Sequence, residues 1–236
     1  MTTNLNSLPK KLAMTQISTA LSRPRRIFLT NALPVLLMLL LTFGHAVQAA
    51  EVSPEKGKEL SAARCASCHQ TDGNSTDPAN PILSSQHSGY LERQIKAFQS
   101  RNGNAPQRTN AIMNAMVVGL SDQDIADLSA WFSEQPRKPA AAKDARLVEI
   151  GQKLWRSGDF RKGIPSCGGC HGPAGHGIPQ EFPRLNGQYA AYTEAQLKAF
   201  RARQRANDPN AMMQTIAGKL SDDQIKAIAD FTAGLR

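Results

Sequence analysis

The sequence predicts an all-α protein made of two tandem helical domains. Three observations support this prediction. The chain of 236 residues repeats itself at a shift of 102 residues, its apolar residues recur at spacings near one helical turn, and no stretch alternates polar and apolar residues over a useful length. Two copies of about 90 residues indicate a duplicated domain, because a solenoid needs three or more much shorter repeats.

Residues 1–49 are predicted to be a signal peptide. They contain five basic residues and no acidic ones, then the apolar run 27–43, then small residues before a cleavage position after Ala49. A retained membrane anchor is the alternative, but 17 apolar residues interrupted by Pro34 are marginal for a span. Export places the expected location of the mature chain in the periplasm.

The two copies align over most of their length. The positions matched at a shift of 102 are residues 65–69 with 167–171, Pro81 with Pro183, Leu83 with Leu185, and 90–98 with 192–200. The second copy carries an eight-residue insertion before its first cysteine. We therefore expect one domain at 50–134 and another at 144–236, joined by a linker at 135–143 that contains Pro136 and Pro139.

Helices are expected at equivalent places in both copies. Ser121 and Ser221 each begin a capping box, in which the serine oxygen accepts a backbone N–H and the residue three positions later reaches back. Behind each serine, and in the segments that begin at Tyr90 and Tyr192, apolar residues recur about once per helical turn. The connecting segments are rich in Gly, Pro and Asn and are expected to be loops.

The motif Cys-x-x-Cys-His occurs once in each copy, at residues 65–69 and 167–171. In an exported chain this motif is the attachment signature of c-type haem. Two thiols about one helical turn apart can add to the two vinyl groups of a porphyrin, and the adjacent histidine can then bind the iron. The motif therefore predicts two haem c groups, attached at Cys65, Cys68, Cys167 and Cys170, with His69 and His171 as iron ligands.

Other uses of these cysteines fit less well. A structural zinc site needs its two cysteine pairs about 15–20 residues apart, but 98 residues separate Cys68 from Cys167. A thioredoxin-like redox pair needs a βαβ context, which the helical pattern does not provide. Disulfides between neighbouring cysteines would be strained and would leave both histidines unexplained.

Each haem iron then needs a sixth ligand. Met113 and Met213 lie seven residues before the Leu-Ser-Asp of their copy, and the soft thioether of methionine suits ferrous iron. Because these two methionines match between the copies, they are the predicted axial ligands. The competitors without such a match are Met116, Met212, His87 and His176, of which both histidines are expected in solvent-exposed loops.

With these motifs the chain resembles the cytochrome c4 family of class I dihaem c-type cytochromes, over essentially all of the mature chain. The resemblance rests on both Cys-x-x-Cys-His motifs, the proline and leucine that follow each, the methionine before each Leu-Ser-Asp, and the terminal helix. It implies that Pro81 and Pro183 accept a hydrogen bond from the ligating histidines. It also implies that Leu83 and Leu185 pack on the haems, and that Gly57 and Gly151 allow close helix crossings.

A haem with both axial positions filled by protein can still exchange an electron through an exposed edge. The leading hypothesis is therefore a periplasmic electron carrier, and not an enzyme. The resemblance implies a terminal cytochrome oxidase as acceptor and a quinol-oxidising complex as donor, with peripheral association at the inner membrane. No nucleic acid or small-molecule substrate is expected. The alternatives are a dihaem peroxidase, a sulfur-compound dehydrogenase, and the cytochrome subunit of a sulfide-oxidising flavoprotein.

Charge is distributed unevenly along the chain. The formal net charge is +9, and removal of the five basic residues of 1–49 leaves +4. Residues 50–140 carry 9 basic and 10 acidic groups, whereas residues 141–236 carry 14 basic and 9 acidic groups. The two ends of the molecule are therefore expected to dock different partners, at rates that fall with ionic strength.

Overall fold

The structure is a computed structural model that describes residues 51–236, and the predicted signal peptide lies outside the described residues. The first half contains five α-helices: α1 (Pro54–Leu60), α2 (Ala66–His69), α3 (Ser88–Phe98), α4 (Ala111–Met116) and α5 (Asp122–Glu134). A π-helical turn at Ser61–Cys65 joins α1 to α2 without a break.

The second half repeats this order with α6 (Ala145–Ser157), α7 (Cys167–His171), α8 (Ala190–Arg201), α9 (Met212–Ala217) and α10 (Asp222–Gly234). Short 3-10 turns at Phe160–Lys162 and Pro209–Ala211 precede α7 and α9. Over residues 51–236 extended backbone forms only four isolated bridges and no strand. The all-α prediction is confirmed. None of the helices described is both long and apolar enough to cross a membrane.

The last helix of each half begins at the predicted capping box. The Ser121 hydroxyl accepts the N–H of Asp124 at 3.1 Å, and the Asp124 carboxylate accepts the N–H of Ser121 at 2.8 Å. Ser221 and Gln224 form the same reciprocal pair at 3.3 and 3.1 Å. Two otherwise unpaired N–H groups are satisfied at each helix start, so α5 and α10 begin where the sequence predicts.

In each half the first helix crosses the last one at a glycine. A Cβ added to Gly57 would lie 2.0 Å from the carbonyl oxygen of Asp127, and one added to Gly151 would lie 2.3 Å from that of Ala227. No real side chain tolerates such a distance, so the backbones approach as closely as they do because both positions are glycine. This agrees with the role that the family resemblance implies for these glycines.

Each half has a small apolar core beside its Cys-x-x-Cys-His motif. In the first half Leu91, Leu128 and Phe132 form the buried cluster, and Cys65 and Leu83 pack against it. The second cluster consists of Leu154, Ile164, Leu197, Leu220, Ile225 and Ile228, with Cys167, Met213 and Ile216 packed against it. The packing therefore places cysteines of both motifs at the edge of an apolar interior.

Two glutamine side chains hold the halves together. The buried amide of Gln188 accepts the N–H of Ile82 at 3.0 Å and donates to the Ile82 carbonyl at 2.9 Å. At the position 102 residues earlier, Gln86 makes the same two bonds to the backbone of Arg184, each at 2.9 Å. This reciprocal pair gives the boundary between the halves an approximate two-fold character, and the described residues form one compact unit.

The segment between the halves is non-helical from Pro136 to Lys143, but it packs against both of them. Arg137 donates from Nε to the Ser84 carbonyl at 3.0 Å and from Nη1 to the Asn186 carbonyl at 3.1 Å. The predicted linker is therefore a strap with defined contacts rather than a free tether.

Candidate functional site

The two cysteine motifs have the local geometry that their spacing predicts. In the second half Cys167, Cys170 and His171 lie on the five-residue helix α7. In the first half Cys65 ends the π-helical turn, and α2 carries the second cysteine and the histidine. All four cysteines are free and half-buried. Over residues 51–236 no group of three or more His, Cys, Asp and Glu side chains could hold a metal ion.

Burial controls the chemistry of the leading cysteine in each motif. It raises the pKa of the Cys167 thiol to about 11. It also raises that of Cys65 to about 11, although the neighbouring Arg64 partly opposes the shift. A thiol with such a pKa is almost entirely protonated at neutral pH and is a poor nucleophile. Both leading cysteines therefore lie in an apolar environment.

Both motif histidines are buried and oriented by a backbone carbonyl. His69 and His171 are 6% and 7% exposed, and their Nδ1 atoms lie 3.0 Å from the carbonyl oxygens of Pro81 and Pro183 respectively. A carbonyl can only accept, so Nδ1 carries the proton and Nε2 presents its lone pair. This is the arrangement that fixes the ring of a metal-ligating histidine.

Burial also lowers the pKa of His69 and of His171, and the hydrogen bond to the proline carbonyl opposes this shift in each case. Both imidazoles are therefore neutral at pH 7, which is the form that binds a metal. The family resemblance predicts both hydrogen bonds from a motif histidine to a proline carbonyl, and the structure contains both.

The four methionines among residues 51–236 divide into a half-buried pair and an exposed pair. Met113 and Met213 are half-buried, and Met213 packs against the second core together with Cys167. Met116 and Met212 are 39% and 38% exposed. Because an iron ligand must face the interior, this division favours the predicted pair over its competitors. Leu83 packs against the first core, as Cys65 does.

Among residues 51–236, the two histidines outside the motifs differ from one another. His176 is exposed, as predicted. The prediction for His87 is wrong, because this residue is half-buried and its Nε2 donates across the boundary to the His176 carbonyl at 2.9 Å. Sequence spacing could not show that the loop before α3 packs against the other half.

A cluster that sequence reasoning missed lies on the boundary between the halves. Arg108 and Arg205 are only 8% and 7% exposed, and their backbones pair in an antiparallel bridge. Each guanidinium donates to the phenol oxygen of the opposite half, Arg108 to Tyr192 and Arg205 to Tyr90, both at 3.0 Å. We call these four residues the interdomain arginine cluster. The match of Tyr90 with Tyr192 in the repeat was the available signal.

This cluster contains more hydrogen-bond donors than acceptors. A single atom, the side-chain oxygen of Gln94, accepts hydrogen bonds from Arg108, Arg205 and Asn207. The two phenol oxygens accept from the arginines, so their own O–H groups still need an acceptor. In the described part of the chain neither arginine forms an ion pair with a carboxylate. Burial would lower the pKa of Arg205, but Tyr90, Tyr192 and the carboxylate of Asp208 outweigh it and raise the pKa, so the positive charge of the cluster is partly compensated.

The electrostatics of Tyr192 report the same excess of positive charge. Burial would raise the pKa of this phenol, but the guanidiniums of Arg108 and Arg205 outweigh that effect and hold the pKa below its ordinary value. Among the described residues no carboxylate pairs directly with either guanidinium, and the propionates that each haem carries are groups that these donors would suit. The residues present therefore fit haem groups, whose propionates these donors would hold.

Comparisons with known proteins agree with this geometry. The family model for cytochrome c matches the chain twice, at residues 54–135 and 148–235. Cytochrome c4 of Thiocapsa roseopersicina is 41% identical over 82% of this chain and 99% of that protein. The thiosulfate dehydrogenase electron acceptor of Stutzerimonas stutzeri (strain A1501) is 34% identical over 84% of this chain and 91% of that protein.

A solved structure extends the similarity to three dimensions. The crystal structure of reduced recombinant cytochrome c4 from Pseudomonas stutzeri matches with a TM-score of 0.74 and 38% identity. The match covers 79% of this chain and 100% of the other. The similarity therefore extends over both halves and is not limited to a single motif.

Proposed function

The chain belongs to the cytochrome c4 family of dihaem electron-transfer cytochromes, and on that premise we propose that it carries single electrons between respiratory-chain partners in the periplasm. Its donor is a quinol-oxidising complex and its acceptor a terminal cytochrome oxidase. The protein binds two haem c groups and is an electron-transfer protein rather than an enzyme. Each haem, when bound, supplies a one-electron ferric/ferrous couple.

The proposal assigns a set of residues to each haem. Cys65 and Cys68 attach the first, and Cys167 and Cys170 the second. The axial ligands are His69 with Met113 and His171 with Met213. The single observation that best supports this assignment is the repeated histidine geometry, in which a buried ring donates from Nδ1 to a proline carbonyl 3.0 Å away in both halves.

The surrounding residues serve to hold the redox centres rather than to admit a substrate. Pro81 and Pro183 orient the histidines, and the interdomain arginine cluster supplies donors and positive charge for the propionates. Side chains fixed in this way would keep the same ligands on a haem iron in both oxidation states, which an electron carrier requires.

We further propose the domain organisation suggested by the repeat. The mature chain comprises a first cytochrome c domain at 50–134, a linker at 135–143 and a second cytochrome c domain at 144–236, after cleavage of the signal peptide 1–49. Export to the periplasm places the carrier beside the inner membrane, where both proposed partners reside. The contrast between the charges of the two domains supports docking of a different partner at each end.

Spectroscopy of the oxidised holoprotein tests the ligand assignment. Near-infrared and EPR spectra should show two low-spin ferric haems with histidine–methionine ligation. High-spin iron in either domain would contradict the carrier proposal, because it would leave one axial position open to a substrate. Stopped-flow electron transfer to a terminal oxidase should slow as salt is added, and rates independent of ionic strength would contradict docking by charge.

A second candidate function has a specific observation behind it. Relatives named as thiosulfate dehydrogenase electron acceptors are 34% and 37% identical to this chain. The same dihaem architecture could receive electrons from a sulfur-compound dehydrogenase. Reduction of the protein by a purified thiosulfate dehydrogenase, compared with reduction by a quinol-oxidising complex, decides between the donors by their rates.

A further inference from the structure

A polar cleft lies between the two halves, apart from the interdomain arginine cluster. Its volume is about 390 Å³. Its walls come from the start of α3 and the loop before it, from the end of α5, and from the loop after α7. The lining residues are 85–89, Ser133, Pro179, Gln180 and Arg184. We call this space the interdomain cleft.

Two arginines at this cleft have N–H groups without acceptors. Arg184 lines the cleft. Arg137 of the linker is its neighbour, because both arginines donate to Asn186: Arg184 to the side-chain oxygen at 3.4 Å and Arg137 to the backbone carbonyl at 3.1 Å. The Nε of Arg184 and the Nη2 of Arg137 are buried and have no hydrogen-bond partner. Within residues 51–236 neither side chain forms an ion pair. Buried donors in this state normally have a partner.

The charge around the cleft is uncompensated. Burial, with a further contribution from Arg184, lowers the pKa of Arg137 to about 10. Burial also lowers the pKa of His87, and the two arginines add to this shift against the opposing hydrogen bond to His176. The nearby carboxylates, Glu134 and Glu181, are exposed and in no ion pair of the described residues.

The positive end of α3 opens into the same cleft. This helix has 11 residues, and its N-cap residue, His87, makes no capping side-chain bond. Ser88 and Gly89, the first two residues of the helix, line the cleft. Backbone N–H groups at a helix start favour an anion. Helix and arginine therefore present donors and positive charge to one space.

We propose that the interdomain cleft is a binding site for a small oxyanion, held by Arg184 and the first turn of α3, with Arg137 as the neighbouring cation. Arg184 has no charged counterpart at the equivalent position of the first half. The position equivalent to Arg184 is Ile82, which is apolar and buried.

Calorimetric titration of the holoprotein with inorganic phosphate, at constant ionic strength, tests this site. One phosphate should bind per chain, and Arg184→Gln should weaken the binding at least about tenfold through loss of a charged hydrogen-bond donor. Arg137→Gln should weaken it as well. The matched control is Arg161→Gln, which removes an exposed arginine from the same half and should leave the affinity unchanged. The haem absorption spectrum verifies that each variant is folded.

A carboxylate of a haem could supply the same chemistry, and infrared spectroscopy separates the two sources. If phosphate does not bind but Arg184→Gln shifts the propionate carboxylate bands of the redox-difference spectrum, and Arg161→Gln does not, the oxyanion in the cleft is a propionate. Equal phosphate affinity in the wild type and Arg184→Gln overturns the proposal. So does the absence of both phosphate binding and a band shift. Neither result would affect the electron-carrier function.

Discussion

Replacement of Gln188 by leucine is expected to weaken the boundary between the domains. The side chain of Gln188 satisfies both the N–H and the carbonyl of Ile82, and all these groups are buried. Leucine has a similar volume but can satisfy neither. Leaving a buried backbone group unpaired costs about 1–3 kcal/mol, so the two groups together cost about 2–6 kcal/mol.

The equivalent substitution Gln86→Leu supplies an internal comparison. Its two bonds go to the backbone of Arg184, which is only half-buried, so water can replace part of what is lost. The cost should approach the net value of two ordinary hydrogen bonds, about 1–3 kcal/mol. Gln188→Leu should therefore destabilise the protein more than Gln86→Leu, although the two hydrogen-bond patterns are the same.

Guanidinium unfolding and scanning calorimetry of the holoprotein measure both effects. We expect a lower free energy of unfolding for Gln188→Leu and separation of the thermal transition into two, because the domains no longer stabilise each other. Gln204→Leu, at an exposed glutamine of the second half, is the control and should change little. A loss below about 1 kcal/mol for Gln188→Leu, or equal losses for both interface variants, would refute the argument from burial.

Three further predictions concern the site and its surroundings. Met213→Ala should abolish one methionine-to-iron charge-transfer band in the near-infrared spectrum, whereas Met212→Ala should leave both bands; the opposite result would exchange their roles. Gly151→Ala should lower the unfolding free energy by about 1–3 kcal/mol or more in denaturant, since its methyl group meets backbone at 2.3 Å, and wild-type stability would contradict a close crossing. Burial is the main cause of the lowered pKa of His87 in the folded protein. As the pH drops below 6.5, the unfolded chain therefore binds a proton at His87 before the folded protein does, and the free energy of unfolding decreases. His87→Gln should flatten this part of the pH dependence of unfolding, and an unchanged slope would disprove the assignment.

The interdomain arginine cluster shows why part of the site could not be predicted from the sequence. The hydrogen bonds from Arg108 to Tyr192 and from Arg205 to Tyr90 join residues 84 and 115 positions apart. No short motif or helical period links such positions. A surplus of donors becomes visible only when both side chains are placed in one buried volume.

The sequence by itself determined the helical class, the duplication, the starts of α5 and α10, and the chemistry of the two Cys-x-x-Cys-His motifs. Each of these depends on residues within a few positions of one another, where backbone geometry leaves little choice. The tertiary structure alone decided how the halves meet through Gln86 and Gln188, why His87 is half-buried, and where uncompensated arginines lie. Those features depend on the packing of distant segments, and burial and charge compensation are properties of the assembled volume rather than of any local pattern.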